Sequence, residues 1–169
     1  DLRSKIDSTF EYYKATAIAI TMDVHIQDYL TKTELTKKDE IRLADNASNT
    51  LLNVANLQPN TNFMAVVKQD ASDYLFRGGI SIATTRFVDV YNKDYKNSTS
   101  TGYGTMRMSF NKAFYDGSMY SLNFYQPIYD LRRIGREIGL LCFNVDANAL
   151  EKIYDSKDSS GHLEIALVD

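Results

Sequence analysis

The side chains best able to bind a small polar molecule are arginines, tyrosines and an asparagine in the middle of the chain. The guanidinium of Arg86 or Arg107 could clamp a carboxylate or phosphate through two parallel hydrogen bonds. Tyrosine hydroxyls and the amide of Asn123 could recognise hydroxyl or amine groups. A solvated charge is the commoner fate of any single arginine. This chemistry predicts a binding pocket, in which a few polar groups converge on mostly apolar walls.

Catalytic and metal-binding motifs do not emerge from the sequence. His25 and His162 have no cysteine or carboxylate at a metal-ligand spacing, and Cys142 lies in a strongly apolar run typical of a buried small hydrophobe. Residues 77–79 and 102–104 contain glycines but complete no phosphate-binding loop. The sequence therefore predicts no enzyme site, no metal and no cofactor. It offers no well-placed histidine or cysteine that could ligate a haem iron.

The composition is that of one globular domain. Of the 169 residues, 44% are hydrophobic and 24% are charged, which favours an ordinary folded core over a disordered chain. The net charge of −3 argues against nucleic-acid binding, which usually requires a basic patch. A single cysteine excludes an internal disulfide, and no run approaches the roughly 18 apolar residues of a membrane span. No signal peptide is visible, and the abrupt helical start predicts a segment cut from between flanking regions.

The first element that could position a binding site is a long helix over residues 2–30. It carries an apolar seam at alternating spacings of three and four residues, and no Gly or Pro interrupts it. The seam can pack on its own domain, on a second copy, or on both, so it predicts a dimer or signalling helix. Its residues are Ile6, Phe10, Tyr13, Ala17, Ile20 and Val24.

The remaining pattern predicts a second helix and an antiparallel sheet. Thr36 is an N-cap candidate for a helix over residues 37–56, which Pro59 ends. A short helix over 86–95 is followed by a polar loop over 97–104, and a further helix is expected over 147–154. This order is an α+β layer fold with helices on one side of five strands. The strands are expected at 63–68, 74–76, 106–110, 120–125 and 138–145, with a further terminal strand at 162–168.

Alternation leaves the sheet faces open to two assignments. If Met108 and Phe124 face the main core, then Arg107, Asn123 and Tyr125 point the other way. The latter three could then share a pocket with Tyr120 only through a bulge. The candidate site residues therefore come from both faces of the sheet.

Residues 118–154 also carry a resemblance to a known family. The phrase "PIYD", a polar turn and "EIGLLCFNVDANALEKIY" resemble the closing hairpin and exit helix of extracytoplasmic Cache domains, the PAS-like sensor modules of bacterial receptors. The wider phrase "YSLNFYQPIYDLRRIGREIGLL" resembles the ectodomains of YesM-like sensor histidine kinases. The resemblance implies a long N-terminal helix and a second helix packed on a five-stranded antiparallel PAS-like sheet. It divides the chain into a helical segment 1–58, a sensor domain 59–160 and a terminal strand 161–169. That strand either finishes this domain or begins a second, truncated module.

The resemblance also implies where a ligand would bind. In PAS-like domains the pocket lies between the sheet and the irregular segment after the second strand. Amino-acid-binding Cache receptors place a Trp after the pocket arginine, whereas Phe87 follows Arg86 here and the chain has no Trp. Sugars, carboxylates or similar molecules remain the expected ligands. The expected ligand-binding residues are Arg77, Arg86, Tyr91, Tyr103, Arg107, Tyr120, Asn123, Tyr125 and Asp130.

The function that the resemblance implies is ligand sensing outside the bacterial cell membrane. The chain would be the membrane-tethered ectodomain of a transmembrane receptor, such as a two-component histidine kinase, and would signal through its N-terminal helix and C-terminal exit. The alternative is a dimerisation or protein-interaction module that binds no small ligand.

Overall fold

The computed structural model describes residues 2–58, 60–78, 84–112, 114 and 120–148. Within them, the fold is α+β, and its antiparallel sheet has the strand order β2-β1-β6-β5-β4-β3. The helices are α1 (Leu2–Met22), α2 (Val24–Thr31), α3 (Lys37–Leu57) and α4 (Thr84–Asn97). The strands are β1 (Thr61–Lys68), β2 (Tyr74–Gly78), β3 (Thr99–Ser100), β4 (Arg107–Asn111), β5 (Ser121–Tyr129) and β6 (Glu137–Asp146).

The predicted single helix over residues 2–30 is wrong, because Asp23 divides it into α1 and α2. The Asp23 carboxylate accepts hydrogen bonds from the amides of His25 and Ile26 at 2.9 and 3.2 Å, which makes it the N-cap of α2. The hydroxyl of Thr50 on α3 donates to the same carboxylate at 3.2 Å. A capping side chain therefore breaks the helix where neither Gly nor Pro is present.

The apolar seam of α1 packs on its own domain. Tyr13, Ala17 and Ile20 are buried in the core that α1, α2 and α3 form with the sheet, and Phe10 packs against it. Val24 is 58% exposed, because it follows the break at Asp23 and no longer continues the seam. Ile6 is partly buried near the start of α1. Of the three predicted alternatives for the buried part of the seam, the structure shows packing within the chain.

The sheet is covered on both faces, so the prediction of helices on one side is wrong. Leu122 and Phe124 of β5 face α1, α2 and α3. Tyr125 of β5 faces α4, where it joins a second core with Phe87 and Tyr91. The predicted alternation of faces along β5 is confirmed. The sheet, a single layer of strands, therefore separates two different cores.

The other differences from the predicted elements are local. The predicted α+β class, the N-cap Thr36 and a helix near residues 86–95 are confirmed. Residues 99 and 100 form the short edge strand β3 against β4, inside the segment that composition predicts to be a loop. The sheet therefore has six strands instead of five. The predicted strand over 162–168 and most of the predicted helix over 147–154 lie outside the described residues, as does the segment 161–169.

Candidate functional site

A row of polar side chains crosses the sheet beneath α4. Ser109 on β4, Asn123 on β5 and Asn144 on β6 are direct register partners on neighbouring strands. The Asn123 amide donates to Ser109 Oγ at 3.1 Å, and the Asn144 amide donates to Asn123 Oδ1. Asn123 and Asn144 are fully buried. Polar side chains are thus aligned where a sheet core would ordinarily be apolar.

A second row and a bulge extend this network. Asn111 and Ser121 are paired on β4 and β5, and Asn111 Oδ1 accepts from the Asn123 amide at 3.2 Å. Ser121 Oγ accepts from the Asn144 amide at 2.7 Å. The β1 register shifts between Thr61 and Phe63, and Asn62 at this irregularity donates to Asn144 Oδ1 at 2.8 Å. The network consequently reaches across four strands, from β4 to β1.

Asp94 of α4 lies at the centre of the network and is only 4% exposed. It follows Phe87 and Tyr91 at helical spacing, so one face of α4 carries all three onto the sheet. Its carboxylate accepts a hydrogen bond from Ser109 Oγ at 2.5 Å, and also from the Asn111 amide and the Tyr125 hydroxyl. All three donors are neutral, and no lysine or arginine of the described residues forms an ion pair with Asp94.

Burial raises the pKa of the tyrosine and cysteine groups that surround Asp94. Burial, then Cys142 and Asp94, raise the pKa of Tyr125 far above its ordinary value. Burial and Asp94 also raise the pKa of the Cys142 thiol. Burial is likewise the main reason why the pKa of Tyr91 is raised. The Tyr125 phenol is therefore a stable donor to Asp94 across the physiological range.

Arg107 closes one end of the site. It pairs with Tyr125 across β4 and β5, and its guanidinium lies 5.8 Å from the ring centre of Tyr95. Its Nε donates to Ser98 Oγ at 2.9 Å, and its terminal nitrogen donates to the Ser98 carbonyl. Arg107 thereby ties β4 to the residue that follows α4, where a cation is favourable at a helix C-terminus.

The structure brings Tyr91, Arg107, Asn123 and Tyr125 together beneath α4. Arg86 belongs to α4, but its side chain is not among those described. The structure therefore places only part of the predicted set at one site.

The other predicted site residues lie elsewhere, because alternation directs them to the opposite face or the chain carries them to another end. Arg77 pairs with Met64, which faces α1, and donates to the Phe76 carbonyl at 2.8 Å. Tyr103 stacks on Phe10 of α1, with ring centres 5.9 Å apart. Arg77 and Tyr103 therefore lie apart from the polar network beneath α4, in keeping with a candidate list drawn from both faces of the sheet.

Tyr120 and Asp130 are also separate from the site. Tyr120 is 51% exposed and stacks on Phe110 at the surface. Asp130 is buried in the turn between β5 and β6, where it accepts from the Arg132 amide at 2.8 Å. Neither side chain hydrogen-bonds to the polar network within the described residues.

Sequence reasoning missed the central residue Asp94 and most of the network. A usable signal existed in two places. Ser109 and Asn111 alternate with Met108 and Phe110, and Asn144 is the polar exception within the apolar run of β6. The missed residues are Asn62, Asp94, Ser109, Asn111, Ser121 and Asn144.

The side chains of the polar network bond to one another in this structure, and a cleft lies at a different place in the fold. Every buried side-chain nitrogen or oxygen of the described residues has a hydrogen-bond partner. A cleft of about 190 Å³ opens between the α2–α3 connection and the β1–β2 turn. Its lining includes Leu35, Leu43, Glu34 and Glu40. The polar network and the cleft lie on opposite faces of the sheet.

Two negative findings apply to the described part of the chain. No group of three or more histidine, cysteine, aspartate or glutamate side chains there could hold a metal ion. No helix there combines the length and the apolar character needed to span a membrane.

The fold is similar to that of solved bacterial sensor domains. The ligand-binding domain of the Campylobacter jejuni chemoreceptor Tlp3, solved with L-valine, matches 93% of this chain with a TM-score of 0.58 and 12% identity. The periplasmic sensory domain of the Campylobacter jejuni chemoreceptor Tlp1 matches 89% with a TM-score of 0.53 and 12% identity. The extracellular domain of the putative histidine kinase soHK1S-Z6 matches 90% with a TM-score of 0.52 and 12% identity.

These likenesses concern the fold. The chain spans 58 to 60% of the length of the three solved domains. No protein-family model matches the sequence, and no curated protein matches it significantly. The predicted resemblance to extracytoplasmic PAS-like sensor domains is confirmed at the level of the fold, and the chain shares that fold with the sensor domains of chemoreceptors and of a histidine kinase.

Proposed function

We propose that this chain is an extracytoplasmic ligand-sensing domain of a bacterial transmembrane receptor, such as a two-component histidine kinase. The observation that carries the proposal is the buried polar network around Asp94, beneath α4. Burying polar groups costs free energy unless they are hydrogen-bonded, and here the hydrogen bonds of the network offset that cost within the described residues. The network thereby keeps donors and acceptors beneath α4, where a polar ligand could exchange with them. The fold shared with solved sensor domains supports the same function. The chain itself has no catalytic role, and any kinase activity belongs to another part of the receptor.

The ligand is a small polar molecule that carries an ammonium group or several hydroxyls. Asp94 accepts hydrogen bonds and lacks an ion pair within the described residues, so an ammonium or hydroxyl group could take the place of its present donors. Asn123 and Asn144 offer both donors and acceptors. The Tlp3 domain was solved with L-valine, which carries an ammonium group. Amino acids therefore join sugars and carboxylates as the classes to be tested.

A thermal-shift screen tests the ligand directly. Amino acids, amines, sugars and carboxylates are added at millimolar concentration, and a ligand at about 100 times its Kd stabilises the protein by about 2.7 kcal/mol. The matched variants are Asp94→Asn and Asp89→Asn, since Asp89 is an exposed acid on the same helix. The shift is expected to persist in Asp89→Asn and to vanish in Asp94→Asn. No shift across the whole panel contradicts direct sensing.

The route for a signal runs through β5 to α1. Phe124 of β5 contacts Phe10 and Tyr13 of α1, with ring centres 5.7 and 5.1 Å apart. A ligand that alters the packing beneath α4 would shift the equilibrium between two positions of α1, provided that it binds one of them more tightly. The change in α1 would then reach the membrane through its N-terminal end.

A second candidate is an interaction module without a ligand. It is favoured by the fact that the polar network satisfies all of its own buried groups within the described residues. In this reading the network fixes the packing of α4 and the domain acts through its surface. Silence in the ligand screen combined with concentration-dependent association in sedimentation experiments supports this candidate over the first.

A further inference from the structure

The turn between β5 and β6 presents an apolar tip that the fold holds in one shape. Residues 131–136, called here the hairpin tip, expose Ile134 completely and Leu131 to 59%. The Asp130 amide donates to the Arg136 carbonyl at 2.8 Å, and Gly135 adopts a φ of +79° that favours glycine. Two large apolar side chains exposed on one ordered turn form a surface that a partner could bury.

Two polar contacts hold the hairpin tip against α2, and a third holds the adjacent residue Tyr129. The buried side chain of Gln27 donates to the Tyr129 carbonyl at 2.9 Å and accepts from the Leu131 amide at 3.2 Å. The Arg132 guanidinium lies 3.1 Å from the Asp28 carboxylate. Because the tip is fixed before any partner binds, little conformational entropy is lost on association.

The hairpin tip is also basic. It contains Arg132, Arg133 and Arg136 and no acidic residue. The side chains of Arg132 and Arg136, though paired with Asp28 and Asp130, are 65% and 53% exposed. Arg133 is exposed and forms no ion pair within the described residues. A partner surface should therefore combine an apolar pocket with an acidic rim.

The cleft of about 190 Å³ on the same molecule has this character. Its apolar lining consists of Leu35, Leu43 and Ala44. Glu34 and Glu40 also line it, both exposed and without an ion pair in the described part of the chain. The other charged side chains of the lining form ion pairs with each other or with a neighbouring residue. These are Lys68 with Asp73 at 3.8 Å, and Lys32 with Asp28 at 2.7 Å.

The hairpin tip and the cleft lie side by side. Asp28 contacts both Arg132 of the tip and Lys32 of the cleft lining. A two-fold axis near Asp28 would place the tip of each copy at the cleft of the other, which closes the assembly at a dimer. We propose that two copies of this chain associate in this way, with Ile134 in the second copy's cleft and Arg133 beside its Glu34 and Glu40.

The contact is small, so association in free solution is weak. If the proposed receptor function holds, tethering to one membrane raises the effective concentration to the millimolar range, where weak contacts count. The tip lies at the α2 end of α1, and the 21 residues of α1 span roughly 30 Å. A membrane reached through the N-terminal end of α1 is therefore distant from the tip.

Cysteine cross-linking tests the arrangement without any ligand, so its result is independent of the ligand screen. Equal amounts of Ile134→Cys and Thr33→Cys chains are mixed under mild oxidation. Thr33 lines the cleft, and the native Cys142 is buried. In the control mixture, Asn92→Cys, an exposed position on α4, replaces Thr33→Cys. The mixed dimer of Ile134→Cys and Thr33→Cys is expected to form about tenfold faster than in the control, because association raises the effective concentration of the two thiols. Equal rates for the two mixtures overturn the proposal.

A charge exchange distinguishes a specific contact from general stickiness. Arg133→Glu, introduced in both chains, is expected to lower the rate of cross-linking about fivefold. A fivefold change is about as much as the loss of one exposed ion pair can produce. Adding Glu40→Arg to the same chains is expected to restore the rate. Thermal melting verifies that each variant is folded. A failure of the second change to restore the rate, or tip-dependent binding to phosphatidylglycerol vesicles in place of cross-linking, overturns the self-association.

Discussion

Asp94 combines deep burial with a set of neutral donors. A buried carboxylate is ordinarily paired with a cation or bound to several donors, and here Ser109, Asn111 and Tyr125 supply the donors. These hydrogen bonds position α4 on the sheet, in addition to the aromatic contacts of Phe87. Small changes at this residue should therefore affect both stability and binding.

Replacing Asp94 by Asn should destabilise the domain by roughly 1–3 kcal/mol, because one acceptor oxygen becomes an NH2 group that faces buried donors. The free energy of unfolding, measured in urea, is the readout. Asp89→Asn on the same helix is exposed and should change it by less than about 0.5 kcal/mol. Equal effects of the two substitutions would contradict the burial of Asp94.

Tyr125→Phe should cost about 1 kcal/mol in the same measurement, since the ring stays packed while the hydroxyl donor to Asp94 is lost. Tyr120→Phe is the matched control, because Tyr120 is half exposed at the surface. A larger effect at Tyr120 would count against the network as described.

The residues of the site were only partly predictable from the sequence. Alternation along the strands identified Asn123 and Tyr125 as members of one face. It could not reveal that Asn144 lies beside Asn123, because strand register is a long-range property. Asp94 was missed because a polar residue on a short helix is usually solvated, and only the sheet beneath α4 makes it buried.

At the scale of elements, the division between α1 and α2 depends on one side chain. Asp23→Ala should lower the free energy of unfolding by about 1 kcal/mol, the usual value of an N-cap, and should also release the Thr50 hydroxyl. Asp45→Ala, an exposed acid within α3, provides the control. If both variants unfold at the same urea concentration, Asp23 contributes no cap.

Gly139 of β6 marks a close approach between the sheet and α2. A Cβ atom there would lie 2.6 Å from the Val67 carbonyl oxygen and 3.0 Å from Leu30. Gly139→Ala should destabilise the domain by about 1–3 kcal/mol through overpacking. Because the nearest atom is backbone, adding Leu30→Ala should not restore the urea midpoint, and a full recovery would contradict this geometry.

The elements themselves followed the sequence pattern more closely than the site did. The apolar period predicted α3 and the main strands, because amphipathic faces must pack against the core. Two errors share a cause. The break at Asp23 depends on one capping side chain, and the strand Thr99–Ser100 depends on backbone pairing with β4. Neither local hydrogen bonding nor pairing is visible in hydrophobic period or composition.

At the scale of the whole molecule, buried phenols make stability sensitive to alkaline pH. Burial, then Tyr12, raise the pKa of Tyr13 from 10.0 to about 12, and burial also raises the pKa values of Tyr29, Tyr91 and Tyr125. A raised pKa in the folded state favours the protonated form. The stability it contributes is present below pH 10 and is lost as the pH rises, because the unfolded chain ionises first.

The free energy of unfolding should therefore fall steadily from about pH 10 to about pH 12. Urea titrations at pH 7, 9, 10 and 11 measure this fall. Tyr13→Phe should reduce the slope above pH 10 and leave the slope between pH 7 and 9 unchanged. A slope above pH 10 equal to that of the unsubstituted chain would show that Tyr13 is solvated.

Because the sheet has a core on each face, a structural change in one core can be transmitted to the other through a strand. Asn123 belongs to the polar network and the adjacent Phe124 touches α1, so the two environments are separated by one peptide unit. Motion does not have to pass through a chain of intermediate side chains. A displacement of β5 on the α4 side should therefore reach α1 directly, and the pairing of β5 with β4 and β6 and its packing in both cores limit how far it can move.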